Sequence, residues 1–332
     1  MARIWTEGCE MQDIPGMTVN NFGAGGSGIS TVYYRSGVAG IVSGAWGGGN
    51  AYTNLLMPVD CTDIYLRFGF YYIGYSSFAQ IQWRHGTTVL GGLLLRPFEV
   101  PQLQVNVTTV KSGTTVIRQA QWYLIELHIN IADAGTFELK IDGQPVEATY
   151  SGDTKPGADT HFDNLHFYST ANGYYACDDF AIDNADWVGD GHITRVTPDG
   201  TVTNQLTGSD GNTTDNHLLV DEYPLDSDTT YVQGTVVDEE DLYDLTACGL
   251  GTAEITRIFA ESRTKDTVAA GGTCALITKA SGGSEVSGGD VSLLTTYVKR
   301  ILSAEELLNP VDSQVWEAAD IDALQVGVRT RS

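Results

Sequence analysis

The segment QWYLIELHINIADAGTFELKIDGQPV, residues 121–146, carries the clearest alternation of apolar and polar residues in the chain and decides the fold class. From Trp122 to Ile131, apolar residues recur at nearly every second position, which is typical of a strand with one buried face. The run from Thr136 to Ile141 alternates again, and Asp142-Gly143 is the dipeptide favoured in a tight type I′ turn. The segment is therefore predicted to form antiparallel strands that pack by one face on a core.

The remainder of the chain has the same character. Glycine is abundant, β-branched and aromatic residues are frequent, and few stretches have a helical period, so an all-β protein is predicted. Short strand candidates and Gly-rich turns follow one another at the spacing expected of a sandwich. A chain of 332 residues is long enough for two cores. We predict a first domain over residues 1–188 and a smaller β-sandwich domain over residues 189–332.

Helix is predicted only in the second domain. Ser303 and Glu306 have the spacing of a capping box, two leucines follow, and Pro310 would end the helix. A second helical turn is predicted near residues 318–320, before the segment ALQVGVR returns to strand.

The formal net charge of −24, with only 18 Lys and Arg, argues against nucleic acid as a main partner, because a phosphate-binding surface needs clustered cations. We interpret the acidity as a solubility property, with a divalent cation or a basic partner as the alternatives.

The cysteines and the N-terminal residues bear on the compartment. Five scattered cysteines, with no C-x-x-C pair and no His at metal-ligand spacing, indicate reduced and buried thiols and assembly in a cytoplasm. The first residues have no apolar segment of the signal-peptide kind, and no later window is long enough to span a membrane. A soluble protein without an export signal is expected.

Catalytic motifs are weak. The acidic run VDEEDLYD, residues 237–244, places carboxylates consecutively, so they would alternate between faces of a strand, and a solvated loop is expected rather than a catalytic pair. No Gly-x-Ser-x-Gly elbow occurs, and the stretches NFGAGGSG and GAWGGGN lack the Gly-Lys-Ser/Thr of a phosphate loop. His128 is expected to be exposed or hydrogen-bonded rather than to act as a base. We predict no catalytic residue and no organic cofactor.

If the protein binds a metal ion, calcium is the ion that the sequence favours. In SDGNTTDNHLLVD, residues 209–221, the side chains of Asp210, Asn212 and Asp215 are candidate ligands, with Asp221 beyond them, because calcium takes hard oxygen donors. The loop lacks the central glycine and closing glutamate of an EF-hand, so an ordinary polar loop is the alternative.

Aromatic residues suggest sugar binding without selecting a site. The side chains of Trp46, Tyr71, Tyr72, Tyr75 and Trp83 could stack on sugar rings or fill the core.

Residues 122–146, with Trp, an alternating strand and Leu-Lys-Ile-Asp-Gly, resemble the laminin-G-like or concanavalin-A-like jelly roll. The segment DDFAID, residues 178–183, resembles the last strand of that domain. Three further segments, GDGHITRVTPDG (189–200), NHLLVDEYPLDSDTTYV (216–232) and WEAADIDALQVGVR (316–329), together resemble tailed-bacteriophage structural proteins in which such a jelly roll precedes a smaller β domain.

The resemblance implies a non-enzymatic virion protein, an accessory on the tail or head that assembles in the host bacterial cytoplasm. Other virion proteins are then the expected partners, host-surface glycans the expected ligand, and a homo-oligomer the expected state. Two alternatives stay open: a capsid decoration or cement protein that binds only virion subunits, and a glycan-processing hydrolase. The family supplies no catalytic residues.

Overall fold

The computed structural model describes residues 3–7, 9, 18–21, 27–44, 50–74, 78–170, 173–222, 225–267, 271–301 and 308–331. Its regular structure is almost entirely strand, which confirms the predicted all-β class. The chain divides into two compact units, Met1–Thr194 and Arg195–Ser332, where the sequence placed the boundary between residues 188 and 189.

The first unit consists of antiparallel strands. They are β1 (Arg3–Glu7), β2 (Thr18–Asn21), β3 (Gly28–Ser30), β4 (Gly40–Gly44), β5 (Asn50–Cys61), β6 (Asp63–Gly74), β7 (Ala79–His85), β8 (Thr88–Leu95), β9 (Gln102–Val105), β10 (Thr108–Ser112), β11 (Trp122–Asn130), β12 (Gly135–Ile141), β13 (Ala148–Gly152), β14 (Phe162–Thr170) and β15 (Tyr174–Asp183).

These strands form two sheets with the core between them. Sheet A has the order β13-β12-β11-β6-β15-β4-β3, with β1 also paired to β15, and sheet B has the order β10-β9-β8-β7-β14-β5-β2. Across the core, the ring of Trp83 from sheet B meets Phe137 of sheet A edge-on at 4.9 Å, and Phe167 meets Phe180 at 5.6 Å. The chain crosses between the sheets repeatedly, as in a jelly roll, and the predicted sandwich is confirmed.

The predicted hairpin lies in sheet A. Strands β11 and β12 pair from Ile125↔Ile141 to Asn130↔Thr136. The Asp142-Gly143 turn follows β12 and leads to β13. Asp142 and Gly143 have φ values of 54° and 66°, and the amide of Gln144 donates to the carbonyl of Ile141 at 3.1 Å. Positive φ at both central residues is the signature of a type I′ turn, so this prediction is also confirmed.

Strand β15 contains a bulge that changes which residues face the core. The register against β6 shifts after Asp178, and Asp179 has a φ of 54°. The odd-numbered Cys177 faces the core before the bulge, whereas the even-numbered Phe180 and Ile182 face it afterwards. The extra residue thus reverses the alternation of the strand.

The second unit is also antiparallel. It contains β16 (Pro198–Asn204), β17 (Thr207–Gly208), β18 (Val232–Gln233), β19 (Glu240–Leu245), β20 (Glu261–Thr264), β21 (Thr273–Lys279), β22 (Glu285–Ser287), β23 (Val291–Ser292), β24 (Val298–Ile301) and β25 (Gln325–Thr330), with a 3₁₀ turn at Asn216–Leu219 and a helix α1 at Ala318–Asp322. Its main sheet has the order β16-β19-β25-β21-β22, with β23 on β21, and β17-β18 and β20-β24 form two ribbons.

A buried carboxylate organises part of this unit. Asp241 accepts hydrogen bonds from the amides of Gln205 and Leu206, both at 2.8 Å, from the side-chain amide of Asn216 at 2.5 Å and from the Tyr243 hydroxyl at 2.8 Å. The expectation of a solvated loop over residues 237–244 is therefore wrong for its second half. Because Asp241 gains these donors on folding, β19 can place a polar side chain in the interior.

Helix α1 begins where a helical turn was predicted and is followed by β25, as expected. The Glu317 amide donates to the Asp320 carboxylate at 2.9 Å, which closes a capping box at its start. The other predicted helix, at 303–306, lies outside the described residues. No helix in the described part of the chain is long and apolar enough to cross a membrane.

All five cysteines are described and are buried, as predicted, and none of them forms a disulfide. Burial, followed by the charge of Asp60, raises the pKa of the Cys61 thiol to about 12. Burial also raises the pKa of Cys177 well above its usual value. These thiols are therefore protonated and poorly reactive near neutral pH.

The type I′ turn predicts the effect of a substitution at its second central residue. Gly143→Val places a β-branched side chain at a φ of 66°, and we expect unfolding free energy to fall by at least ~1 kcal/mol. Gly143→Asn should cost less, because asparagine tolerates the left-handed region. Urea denaturation of the three proteins measures the difference, and equal stability of the Val variant would contradict the assignment.

Candidate functional site

Strands β7 and β14 are neighbours in the middle of sheet B and present different chemistry on its two faces. Ile81, Trp83 and Phe167 point into the core. Because side chains alternate along a strand, Gln82 and His166 point to the outer face. Their side chains are nevertheless almost completely buried among their neighbours, with 5% of Gln82 and 4% of His166 exposed. Buried polar side chains on an outer sheet face single out this surface as the candidate site.

The outward side chains around this pair form one surface, the polar face. It comprises Tyr52, Asn54, Gln80, Gln82, Arg84, Gln104, His166 and Tyr168. In the register of the sheet, His166 stands directly between Asn54 and Gln82, and Tyr168 stands between Tyr52 and Gln80. The surface therefore extends across adjacent strands instead of following one of them.

A relay of side-chain hydrogen bonds crosses the polar face. Arg84 Nε donates to Gln82 Oε1 at 2.8 Å, Gln82 Nε2 donates to Gln80 Oε1 at 2.7 Å, and Gln80 Nε2 donates to Gln104 Oε1 at 2.5 Å. Gly92 lies between Gln82 and Gln104 in the register and has no side chain to obstruct the relay. Each amide is oriented by the next, so the donors and acceptors of the surface are set in advance.

His166 is the central group of the surface. Its Nδ1 lies 2.5 Å from Asn54 Oδ1, and its ring lies 4.9 Å from the ring of Tyr52 and is stacked at 5.9 Å on Tyr168. Burial, and then the charge of Arg84, lower the pKa of His166 to about 3. The ring is thus neutral near pH 7. Since Asn54 Oδ1 is an acceptor, we place the proton on Nδ1, which leaves Nε2 to accept a hydrogen bond.

Arg84 supplies the positive charge of the polar face. Burial lowers the pKa of Arg84 from its usual value, while the phenols of Tyr52 and Tyr168 oppose that change. The guanidinium stays protonated at any physiological pH. With carboxamides, a neutral imidazole and phenols beside it, the surface offers both donors and acceptors. At its edge Asn164, which pairs with Arg84, donates to the Asp163 carboxylate at 2.7 Å.

The calcium candidates lie in a loop of the second unit that satisfies many of its own oxygens. Asp210 accepts hydrogen bonds from the backbone and side-chain amides of Asn212, and Asn212 Oδ1 accepts from the Thr214 amide at 2.9 Å. Asp215 has a φ of 56° and precedes the 3₁₀ turn. In the described parts of the chain, no group of three or more His, Cys, Asp or Glu is arranged to hold a metal ion. Calcium binding here stays a prediction.

The aromatic residues considered for sugar stacking divide into core residues and surface residues. Tyr72 and Trp83 are core residues with no exposed surface, and Tyr71 is half-buried on the outer face of sheet A. Trp46 and Tyr75 lie outside the described residues.

His128, as expected, is hydrogen-bonded. Its two ring nitrogens lie 2.8 Å from an oxygen of Asp63 and 3.1 Å from an oxygen of Glu138. Its ring also stacks on Tyr65 at 4.4 Å.

Sequence reasoning did not identify the polar face. The available signal was the segment QIQWR in β7, where two glutamines and an arginine alternate with apolar residues. An amide-rich polar side of a central strand is unusual for a solvated face, which more often carries threonine, lysine or glutamate.

No family model matches the chain, and no curated protein matches it. Among solved structures, the chain is similar to an endo-β-1,4-glucuronan lyase from the fungus Trichoderma reesei, with a TM-score of 0.41 and 12% identity over 55% of this chain and 96% of the lyase. It is similar to a protein of unknown function with a galectin-like fold from Bacillus subtilis, with a TM-score of 0.40 and 13% identity over 55% of this chain and 96% of that one.

A carbohydrate esterase from the Shiga toxin-encoding bacteriophage phi24B is also similar, with a TM-score of 0.39 and 11% identity over 52% of this chain and 91% of the esterase. These similarities are too low to carry a conclusion about what this chain binds or catalyses.

The low pKa of His166 predicts an acid-sensitive contribution to stability. Below pH ~6.5 the unfolded chain takes up a proton that folded His166 does not bind until about pH 3. The unfolding free energy contributed by neutral His166 is therefore complete above pH ~6.5 and falls as pH decreases, by roughly 1 kcal/mol per pH unit.

Denaturation experiments between pH 7 and pH 4 measure the unfolding free energy at each pH. Its decrease with falling pH should be less steep for His166→Asn than for the natural chain. Histidine NMR should show a neutral His166 ring at pH 5. A ring that titrates near pH 6.5 would contradict the buried geometry.

Proposed function

We propose that the protein binds glycans through the polar face without transforming them. The observation that carries this proposal is the row Asn54, His166 and Gln82, continued by the relay to Arg84 and flanked by two tyrosines. A sugar offers hydroxyl groups that both donate and accept, arranged around a less polar ring. A surface of alternating donors and acceptors beside aromatic rings complements that chemistry.

The relay favours binding by reducing its entropic cost. Glutamine and arginine side chains lose considerable rotamer freedom when a ligand immobilises them. Here Gln80, Gln82 and Gln104 already hold one another in the absence of a ligand. These three side chains are almost completely buried, so they would support the half-buried Arg84 that a glycan touches. A donor that is pre-oriented in this way lets more of the interaction free energy appear as affinity.

The chemistry of the polar face supports binding rather than catalysis. Glycoside hydrolysis requires two carboxyl groups roughly 5–10 Å apart, and the polar face has none. Acyl transfer requires an activated nucleophile, which none of its side chains provides. His166, with a pKa of about 3, is too weak a base to serve near neutral pH.

We also propose that the protein is a bacteriophage virion protein, an accessory on the tail or head that uses glycan binding to contact the host surface. The support is that the sequences of residues 189–200, 216–232 and 316–329 together resemble those of tailed-bacteriophage structural proteins. Buried, unbridged cysteines fit assembly in a bacterial cytoplasm. Repeated copies on a particle, or in a homo-oligomer, would raise the avidity of a shallow sugar site.

A pair of matched arginine variants tests the polar face. Arg84→Met removes the guanidinium and keeps an apolar stem, whereas Arg331→Met makes the same change at an arginine of the second unit, which donates to Asp238 at 2.9 Å. Migration in native gels that contain bacterial envelope polysaccharide measures affinity. We expect Arg84→Met to weaken binding at least about tenfold and Arg331→Met to leave it unchanged, because only the first variant removes a charged hydrogen-bond donor from the polar face.

The alternative functions predict different results in the same experiment. Equal retardation of both variants would show that the polar face is not the site. Release of new reducing ends from the polysaccharide would favour the hydrolase. Retention on disrupted virions, with no retardation by any glycan, would favour a decoration protein.

A further inference from the structure

A second set of aromatic side chains lies on the outer face of sheet A, on the opposite side of the sandwich from the polar face. Trp122 and Tyr71 are cross-strand neighbours with ring centroids 5.2 Å apart. Tyr33 lies 6.0 Å from Tyr71 and 6.1 Å from Tyr174. Trp122, Tyr71, Tyr33 and Tyr174 thus form a continuous row, the aromatic strip, and each ring is half-buried.

Glycines make room for the aromatic strip. A Cβ on Gly44 would lie 1.6 Å from a ring carbon of Tyr174, so that ring occupies the space of the missing side chain. A Cβ on Gly40 would lie 2.7 Å from the carbonyl oxygen of Tyr33, so the chain that carries Tyr33 also rests on a glycine. The aromatic strip therefore packs against the sheet and does not merely project from it.

A network of hydrogen bonds to aspartate side chains holds the loop that carries Tyr33. The amides of Arg35 and Ser36 donate to Asp178 Oδ2 at 2.7 and 3.2 Å. The Arg35 guanidinium donates to Asp179 at 3.0 Å and to Asp190 at 2.8 Å. Asp178 and Asp179 are fully buried at the bulge of β15, so the loop is tied to the centre of sheet A.

The geometry of the strip provides two ring orientations. Tyr33 and Tyr174 are nearly perpendicular, at 87°, and so form a corner, while Tyr71 and Trp122 continue the row at smaller tilts of 34° and 45° to their neighbours. Beside it, Val32 is 74% exposed and Tyr34 is 40% exposed, so the approach to Tyr33 is open.

We propose that the aromatic strip is a second glycan-binding site, which takes a neutral polysaccharide chain by stacking sugar rings along the row. A row one ring wide matches a linear polymer better than the broad, mixed apolar patch of a protein interface. Aromatic rings provide large contact areas for the less polar faces of sugars. The net charge of −24 disfavours an acidic polymer. This site is separate from the polar face and does not require it.

Two glycine variants test whether the position of the Tyr174 ring depends on the space beside Gly44. Gly44 and Gly74 both pair with Tyr174, from the strands on either side of it. A Cβ on Gly74 meets nothing within 4 Å, whereas a Cβ on Gly44 collides with the Tyr174 ring. Gly44→Ala should therefore displace that ring, and Gly74→Ala should not.

The probes are a soluble β-glucan, an α-mannan and a galactan, each assayed by native affinity electrophoresis and calorimetry with the full chain. We expect at least one to bind. Gly44→Ala, Tyr174→Ala and Trp122→Ala should each weaken that binding about tenfold, the equivalent of one aromatic contact, while Gly74→Ala binds as the natural chain does. If Gly44→Ala does not fold by circular dichroism, the two truncations decide the result.

Arg84→Met separates this site from the polar face. Binding of a neutral glycan that survives Arg84→Met and is lost in Tyr174→Ala supports the strip, whatever the outcome at the polar face. Binding that is unchanged in both Tyr174→Ala and Trp122→Ala, or absent for all three polysaccharides, overturns the proposal. Self-association of the chain that is lost in Tyr174→Ala, without glycan binding, also overturns it and assigns the strip to a second copy.

Discussion

The contact between Trp83 and Phe137 across the core determines which side chains of β7 face inward and which face outward. Trp83 is fully buried, and the neighbouring Gly91 leaves room for it, since a Cβ there would lie 2.4 Å from the indole nitrogen. Because the strand is pleated, an inward Trp83 forces Gln82 and Arg84 to the outer face. A slip of one residue would bury an arginine and expose an indole. The interior packing of sheet B therefore sets the register of the polar face.

The two outer faces of the sandwich are held by different physical means. On sheet B, hydrogen bonds between long side chains fix the direction of each donor, beginning at Arg84 and ending at Gln104. On sheet A, the Tyr174 ring lies in the space left by Gly44, the backbone of Tyr33 lies against Gly40, and hydrogen bonds from Arg35 anchor the loop that carries Tyr33. Substituting a relay residue changes which hydrogen bonds are offered, whereas substituting Gly44 moves a ring.

The sequence predicts the regular parts of this architecture and misses the parts where alternation alone is ambiguous. Period-two alternation and an Asp-Gly turn identify β11 and β12 correctly, because one face is apolar throughout. In β15 the bulge reverses the alternation after Asp178, so no single period describes the strand. Trp83 and Tyr71 are both aromatic residues in strands, and only the assembled sheets show that one is core and the other outward.

The polar face illustrates a second limit. Its members come from β5, β7, β9 and β14, which are far apart in sequence and meet only through the order of strands in sheet B. Glutamine in a strand has no distinctive pattern of its own, and neither the pairing of Asn54 with His166 nor the relay to Gln104 can be inferred from spacing. The loop at residues 209–221, which does have a spacing signal, uses its oxygens internally.

The pairing of β1 with β15 has a consequence for how the molecule is made. Arg3 to Glu7 pair with Asp183 to Phe180, so β1 must wait for a partner strand that is synthesised much later. Until then the β15 side of sheet A is incomplete, and the waiting strand presents unpaired amides and carbonyls to other nascent chains. Contacts of such large sequence separation also slow folding. The interval between translation of β1 and of β15 is thus the period in which this chain most needs protection from its neighbours.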